Sequence, residues 1–270
     1  MKFFCCQLDI VWKNKPANFQ KVELLLDTAK IPAGALVLLP EMFATGFCMN
    51  PGEISEGDPS GTTAFLQKLA SKFKCYFIAG LARLGDDGRS YNEAVIVSPQ
   101  GRELGRFRKI HPFSFAKEDD FYAPGKEVLL LNLEQYLVSP FICYDLRFPE
   151  VFRLAASRGA QVFTVIANWP TARQEHWLTL LRARAIENQS FVVATNRCGS
   201  DPSNAYPGLS IIIDPRGKVL AQADSQEAVI GAELDLAELL EYRRLFPALN
   251  DVVPETAVKI APLERHEGTT

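Results

Sequence analysis

Strand-length apolar runs recur along this chain, each separated from the next by an amphipathic or turn-forming stretch. That alternation predicts an α/β fold. Strands are expected at residues 3–8, 36–39, 76–82, 93–97, 102–107, 136–142, 161–166, 191–195, 210–213 and 228–233. Helices are expected at 16–29, 62–73, 149–157, 174–188 and 236–243. Pro16 sits near the start of the first, and Leu178, Leu181 and Ala185 form a stripe in the fourth. The turns Asp86-Asp87-Gly88, Ser98-Pro99-Gln100-Gly101 and Asp214-Pro215-Arg216-Gly217 each link two strand runs, so the sheet is expected to be mixed. No linker interrupts the pattern, which predicts one domain over 1–253 and a polar tail over 254–270.

No apolar run approaches bilayer-spanning length, so no membrane partner is expected. Net charge is −3 with both signs interspersed, and a nucleic-acid partner would need a basic stripe. The first residues enter a strand-like run at once, without a secretory signal. Six cysteines follow neither a disulfide framework nor a metal knuckle, and this points to a reducing cytosol. His111, His176 and His266 are scattered, so neither a metal nor a cofactor is expected.

Cys143 closes the apolar run 136–142 and opens the polar, helix-starting segment Tyr144-Asp145-Leu146-Arg147. A strand that ends in a small nucleophile presents it at the sheet edge, beneath the N–H groups of the turn. A cysteine there attacks carbonyl carbon once a base removes its proton. Glu41 follows another fully apolar run, where a carboxylate costs solvation unless paired. It is either a surface acid in a loop or a general base. Lys109 also ends a strand, and beside a developing oxyanion it would supply positive charge.

The segments PEMFATGF, GRFRKIHPF and ICYDLRFPE resemble the three signature segments of the carbon–nitrogen hydrolase (nitrilase) superfamily, in the family's order and with comparable separations. The resemblance runs from Met1 to about Asp251. It implies a Glu–Lys–Cys triad at Glu41, Lys109 and Cys143, with Glu118 as a second glutamate beyond the lysine. It also implies a four-layer αββα sandwich with two mixed sheets, pairing into an αββα–αββα homodimer. Asn168-Trp169-Pro170, His176-Trp177, RARAIENQ and the closing Tyr242-Arg243-Arg244-Leu245-Phe246-Pro247 look like the omega-amidase branch. That branch hydrolyses the terminal amide of 2-oxoglutaramate or 2-oxosuccinamate. Competing substrates within the family are deaminated glutathione, N-carbamoyl compounds and nitriles.

On this resemblance Glu41 takes the Cys143 proton and passes it to departing ammonia, leaving a thioester that water hydrolyses. The oxyanion lies between Lys109 and the Tyr144 N–H, each donor worth about 3 kcal/mol. Glu118 orients the amide or Lys109. Lys109 lowers the thiol pKa and Glu41 raises it, and the sequence leaves the winner open. Arg147 is either the clamp for the substrate's distal carboxylate or a salt-bridge partner of Glu150 or Asp145. Trp169 and Phe47 either wall the pocket or pack in the core.

His111 is expected to be structural and His176 a packed or capping histidine. Cys5 and Cys6 are expected to be inert, and Cys198 to lie in a segment bordering the pocket mouth without a catalytic part. Arg182 and Arg184 are expected on a solvated helix face. Two rivals differ in kind: a cysteine–histidine hydrolase pairing Cys143 with His176, and a catalytically silent binding protein of the same fold.

Overall fold

The computed structural model describes residues 1–253; the expected tail and His266 lie outside them. In chain order the first half carries β1 (Lys2–Gln7), α1 (Lys15–Ala29), β2 (Leu36–Leu38), α2 (Pro51–Ile54), α3 (Gly61–Phe73), β3 (Tyr76–Leu84), β4 (Ser90–Val97) and β5 (Glu103–Arg108). The second half carries β6 (Leu131–Leu133), β7 (Tyr136–Ile142), α4 (Pro149–Ser157), β8 (Val162–Ala167) and α5 (Gln174–Glu187). It continues with β9 (Phe191–Asn196), β10 (Cys198–Ser200), β11 (Ala205–Pro207), β12 (Ile211–Ile213), β13 (Val219–Gln222), β14 (Ala228–Glu233) and α6 (Leu236–Leu245).

Two six-stranded sheets result, ordered β14-β1-β2-β3-β4-β5 and β13-β12-β9-β8-β7-β6. Each has a parallel centre, β1-β2-β3 in one and β7-β8-β9 in the other, with antiparallel strands outside it. The hairpins at 86–88, 98–101 and 214–217 supply three of those antiparallel pairs, as their turn residues predict.

Strand periodicity assigns the faces. Phe3, Cys5, Leu36, Leu38, Ile78 and Ile96 turn one face of the first sheet towards the second sheet. There Phe3 meets Tyr136 edge-on at 5.2 Å, and the Cys5 thiol donates to the Ala194 carbonyl at 3.4 Å. The alternate residues Cys6, Val37, Leu39, Phe77, Val95 and Val97 pack with Val22 and Leu26 of α1 and Leu66 and Leu69 of α3. Phe152 of α4 stacks on Phe141 at 3.9 Å, and Trp177, Leu181 and Ala185 of α5 join the same core. Both faces of both sheets are therefore covered. That is why the central strands read as continuous apolar runs, and the layers are the αββα sandwich the resemblance implies. Cys5 and Cys6 are fully buried, and burial pushes both thiols above the usual range.

Helix starts follow local chemistry. Asn14 caps α1 by accepting from the Ala17 N–H, Ser60 caps α3 and Asp235 caps α6. The short strands β6, β10 and β11 and the single-turn α2 escape the sequence, being too short to show periodicity. After β7 the helix expected at 149–157 forms over those residues. Cys143–Arg147 forms a 3₁₀ turn, and the α-helix waits until Pro149. Phe148 precedes a proline, which disfavours the helical conformation there, and its φ and ψ of −108° and 96° are extended. Arg184 corrects an expectation. It is buried, not solvated, and donates to the Leu146 carbonyl at 2.8 Å, which ties α5 to that turn. No helix among the described residues is long and apolar enough to cross a membrane.

Gly80, in the middle of β3, sets where the chain leaving β2 can pass. A Cβ at Gly80 would lie 2.6 Å from both the Glu41 Cα and the Met42 nitrogen. Backbone cannot yield there as a flexible side chain would. Gly80→Ala is expected to lower unfolding free energy by about 1–3 kcal/mol, the usual cost of overpacking, and to move Glu41. Urea denaturation together with amide turnover checks both effects; a variant with unchanged stability and turnover would refute this constraint.

Candidate active site

Four side chains expected from the sequence meet at one rim of the sandwich. Glu41 emerges after β2, wholly buried, with Met42 next to it at φ 44°. Its Oε1 accepts from Lys109 Nζ at 2.9 Å and from Asn92 Nδ2 at 2.7 Å. Its Oε2 accepts from the Asn168 backbone N–H at 2.8 Å, while Asn168 Nδ2 donates to the Glu41 carbonyl at 2.7 Å. The surface-loop alternative for Glu41 does not describe this carboxylate.

Lys109 follows β5 and is anchored by its backbone, donating to the Asn92 carbonyl and accepting from the Gly125 N–H. Its ammonium, 1% exposed, also donates to Glu118 at 2.8 and 3.1 Å. Glu118 is fully buried and receives Asn92 Nδ2 at 2.9 Å and the Phe113 N–H at 2.6 Å. Asn92 thus bridges the two carboxylates. The sequence missed it, placing the start of β4 at residue 93; its one signal was an amide beside Glu93 within an otherwise apolar strand.

Cys143 stands directly after β7 at φ 45°, a left-handed conformation that side chains rarely adopt. Asp145 holds that turn. Its Oδ2 accepts from the Ile142 N–H at 3.1 Å and its Oδ1 from the His111 N–H at 2.9 Å. His111 Nδ1 lies 2.9 Å from the same oxygen, and the ring stacks on Phe148 at 3.7 Å. His111 is structural, joining the lysine loop to the cysteine turn.

The electrostatics answer the question the sequence left open. Burial raises the Cys143 pKa well above the usual thiol range, and the Glu41 charge raises it further against the opposing pull of Lys109. The resting group is a neutral thiol beside a carboxylate. Burial opposes the charge on Lys109, yet Glu118 and Glu41 outweigh it and hold the ammonium protonated. Burial, with Glu41 adding to it, also raises the Glu118 pKa.

Above the thiol opens a cavity of about 310 Å³. Phe47, Tyr144, Trp169 and Arg147, all expected at the substrate, line it. The Phe47 ring also lies 5.2 Å from Lys109 Nζ. Arg147 makes no salt bridge with Glu150 or Asp145. Its Nη2 lies 3.1 Å from His176 Nδ1, and its guanidinium lies 5.0 Å from the Trp169 ring. Arginine only donates, so His176 Nδ1 is the acceptor in this contact. His176 is therefore neither packed nor capping, as the sequence suggested. It is solvent-exposed and braces Arg147. Among the described residues no hydrogen bond joins it to Cys143, as a cysteine–histidine pair requires.

The 201–206 loop closes the mouth through Asp201, Asn204 and Tyr206, whereas Cys198 itself is buried in β10. Trp12, Arg173, Asp201 and Tyr206 are lining residues the sequence did not single out. They come from three separate segments, Asp201 and Tyr206 sharing the 201–206 loop, and no spacing links the three. No group of three or more histidine, cysteine, aspartate or glutamate side chains among the described residues could hold a metal ion.

Comparison with known proteins adds to this geometry. The family model described as carbon-nitrogen hydrolase matches residues 5–244. A 2-oxoglutaramate amidase of Bacillus subtilis (strain 168) is 37% identical over 249 residues, covering 92% of this chain and 96% of the relative. The omega-amidase YafV of Escherichia coli (strain K12) is 36% identical, covering 93% of this chain and 96% of the relative. Among solved structures, a CN-hydrolase superfamily protein of Xanthomonas campestris with an arsenic adduct in its active site superposes with a TM-score of 0.89. It is 32% identical, with 94% of this chain and 97% of that one covered.

A thiol whose pKa is raised holds less thiolate at any given pH than a free cysteine. Alkylation of Cys143 by iodoacetamide is therefore expected to accelerate with pH and to inflect above the usual thiol value of about 8.5. Glu41→Gln removes the negative neighbour, so it is expected to alkylate faster at pH 8. Rates followed by intact mass decide this; an inflection below 7 in the unaltered protein would show a thiolate–ammonium pair instead.

Proposed function

The chain belongs to the carbon–nitrogen hydrolase family, and from that premise we propose that it removes the terminal amide of a small 2-oxo acid amide, 2-oxoglutaramate or 2-oxosuccinamate, as an omega-amidase. It is a hydrolase of amide carbon–nitrogen bonds. The observation that carries the substrate class is Arg147, a guanidinium on the cavity wall above Cys143 with no carboxylate partner among the described residues. A short acid amide can lay its amide on the thiol and its carboxylate on that guanidinium. The names of the Bacillus and Escherichia relatives support the same substrate class.

In this scheme Glu41 takes the thiol proton as sulfur attacks the amide carbon. Negative charge on the carbonyl oxygen falls between the Lys109 ammonium and the Tyr144 N–H. Glu41 returns the proton to the nitrogen, the carbon–nitrogen bond breaks, and ammonia leaves a thioester on Cys143. Water then gives a proton to Glu41 and adds to the thioester, and the acid departs as the proton passes to sulfur. Glu118 moves no proton; with Asn92 it fixes Lys109 and Glu41 in place. Phe47 and Trp169 wall the amide.

The test is ammonia release from 2-oxoglutaramate, compared with deaminated glutathione and an N-carbamoyl amino acid. The 2-oxo acid amide is expected to be the best substrate, and Cys143→Ala to lower turnover by at least about 10⁴-fold. Absence of both ammonia release and an acyl adduct on Cys143 would favour a silent binding protein of this fold.

We further propose that the enzyme works in the cytosol as a homodimer of paired sandwiches. Six unpaired cysteines support the compartment. The exposed Leu245 and Phe246, at the end of α6, support an interface. Light scattering is expected to give twice the 30.0 kDa chain mass, and a monomer mass at micromolar concentration would refute the pairing.

A further inference from the structure

Three charged side chains line the cavity above Cys143: Arg147, Arg173 and Asp201. Their partners differ. Asp201 Oδ1 accepts the Ser203 and Asn204 N–H groups, both at 2.8 Å, and Oδ2 accepts the Tyr206 hydroxyl. Its own loop occupies three of its roughly four acceptor sites. Arg147 is braced by His176. Arg173 has no carboxylate within salt-bridge distance among the described residues, and its guanidinium lies 5.2 Å from the Phe113 ring on the cavity wall.

The backbone of Arg173 is fixed. It ends the 3₁₀ turn Thr171–Arg173, donates to the Pro170 carbonyl at 3.0 Å, and accepts the Trp169 indole N–H at 2.8 Å. A rigid turn thus projects a second unmatched cation into a small cavity that already holds one. The carboxylate that could answer an ammonium there is already engaged. Such a pocket attracts an anion with further acceptor oxygens and repels a ligand bearing an ammonium beside its carboxylate.

We propose that Arg173 is the second cation of the substrate head-group subsite, and that with Arg147 it selects 2-oxo acid amides against 2-amino acid amides such as glutamine. This rests on the omega-amidase function above. Arg147 takes the carboxylate, while Arg173 donates to the 2-oxo oxygen and the adjoining carboxylate oxygen. Glutamine would bring its ammonium to a wall where two guanidinium groups outnumber one carboxylate that its own loop already holds. The enzyme would thereby spare an abundant 2-amino acid amide that shares the same scissile bond.

The experiment compares kcat/KM for 2-oxoglutaramate, glutamine and the neutral amide propionamide in the unaltered enzyme, Arg173→Gln and Arg173→Lys. Arg173→Gln is expected to lose about 10- to 100-fold on 2-oxoglutaramate, the usual cost of removing a hydrogen bond to a charged group, chiefly through KM. Its preference over glutamine falls at least about tenfold, hydrolysis of propionamide falls far less than that of 2-oxoglutaramate, and Arg173→Lys restores part of the preference. An equal loss on all three amides would show a structural role, and an unchanged 2-oxoglutaramate-to-glutamine ratio would show no role in selection; either overturns the assignment. An unaltered enzyme that hydrolyses propionamide but not 2-oxoglutaramate would refute the omega-amidase function itself, and Arg173's role with it.

Discussion

One ammonium between two buried carboxylates is the interaction on which this site depends. Lys109, Glu41 and Glu118 are each almost fully withdrawn from water, and none could keep its charge there alone. Lys109 donates to both acids and Asn92 donates to both as well, an arrangement that holds the ammonium protonated while burial and Glu41 push the Glu118 pKa up. The remaining carboxylate oxygens meet backbone N–H groups of Asn168 and Phe113. Buried charge of this kind is costly to disturb, since loss of any member leaves another unpaired. The same arrangement sets the Glu41 side chain against a thiol whose pKa is pushed up by burial and by Glu41 itself.

Sheet topology brings these groups together. Strands β2 and β3 run parallel, and two antiparallel steps through β4 return β5 to the same direction. Glu41 and Lys109 therefore leave their strands at the same end of the first sheet. In the second sheet the parallel strands β7 and β8 deliver Cys143 and Asn168 from their carboxyl ends. Stacking the sheets faces one pair of ends against the other, and these side chains gather where parallel strands in α/β folds commonly build sites. The hydrogen bonds from Asn168 to Glu41 cross directly from one sheet to the other.

Several positions show why sequence reasoning stopped where it did. His176 looked like an ordinary helical histidine because nothing in its neighbours reveals Arg147, which is 29 residues earlier and packs beside it. Arg184 has the exposed spacing of an amphipathic helix, yet the turn after Cys143 needed a donor for the Leu146 carbonyl. Asn92 shows only an amide beside Glu93, and Arg173 carries no local pattern. Their significance comes from what lies opposite, and only packing supplies that. The helix expected at 149–157 stands at those residues for a local reason, because Pro149 suits a first helical position and keeps the residue before it extended.

The amino-acid sequence alone determined the strand and helix order, the mixed sheets, and the Glu41, Lys109 and Cys143 segments with their likeness to a known family. These are properties of short stretches: apolar periodicity, turn chemistry and motif residues act within a few positions of one another. Tertiary structure alone decided which way the thiol titrates, which partner Arg147 takes, and how charge is distributed around the cavity. Those depend on burial and on distances between residues up to 127 positions apart, such as Glu41 and Asn168. Electrostatic energy follows separation in space and exclusion of water, and neither is written in the order of the chain.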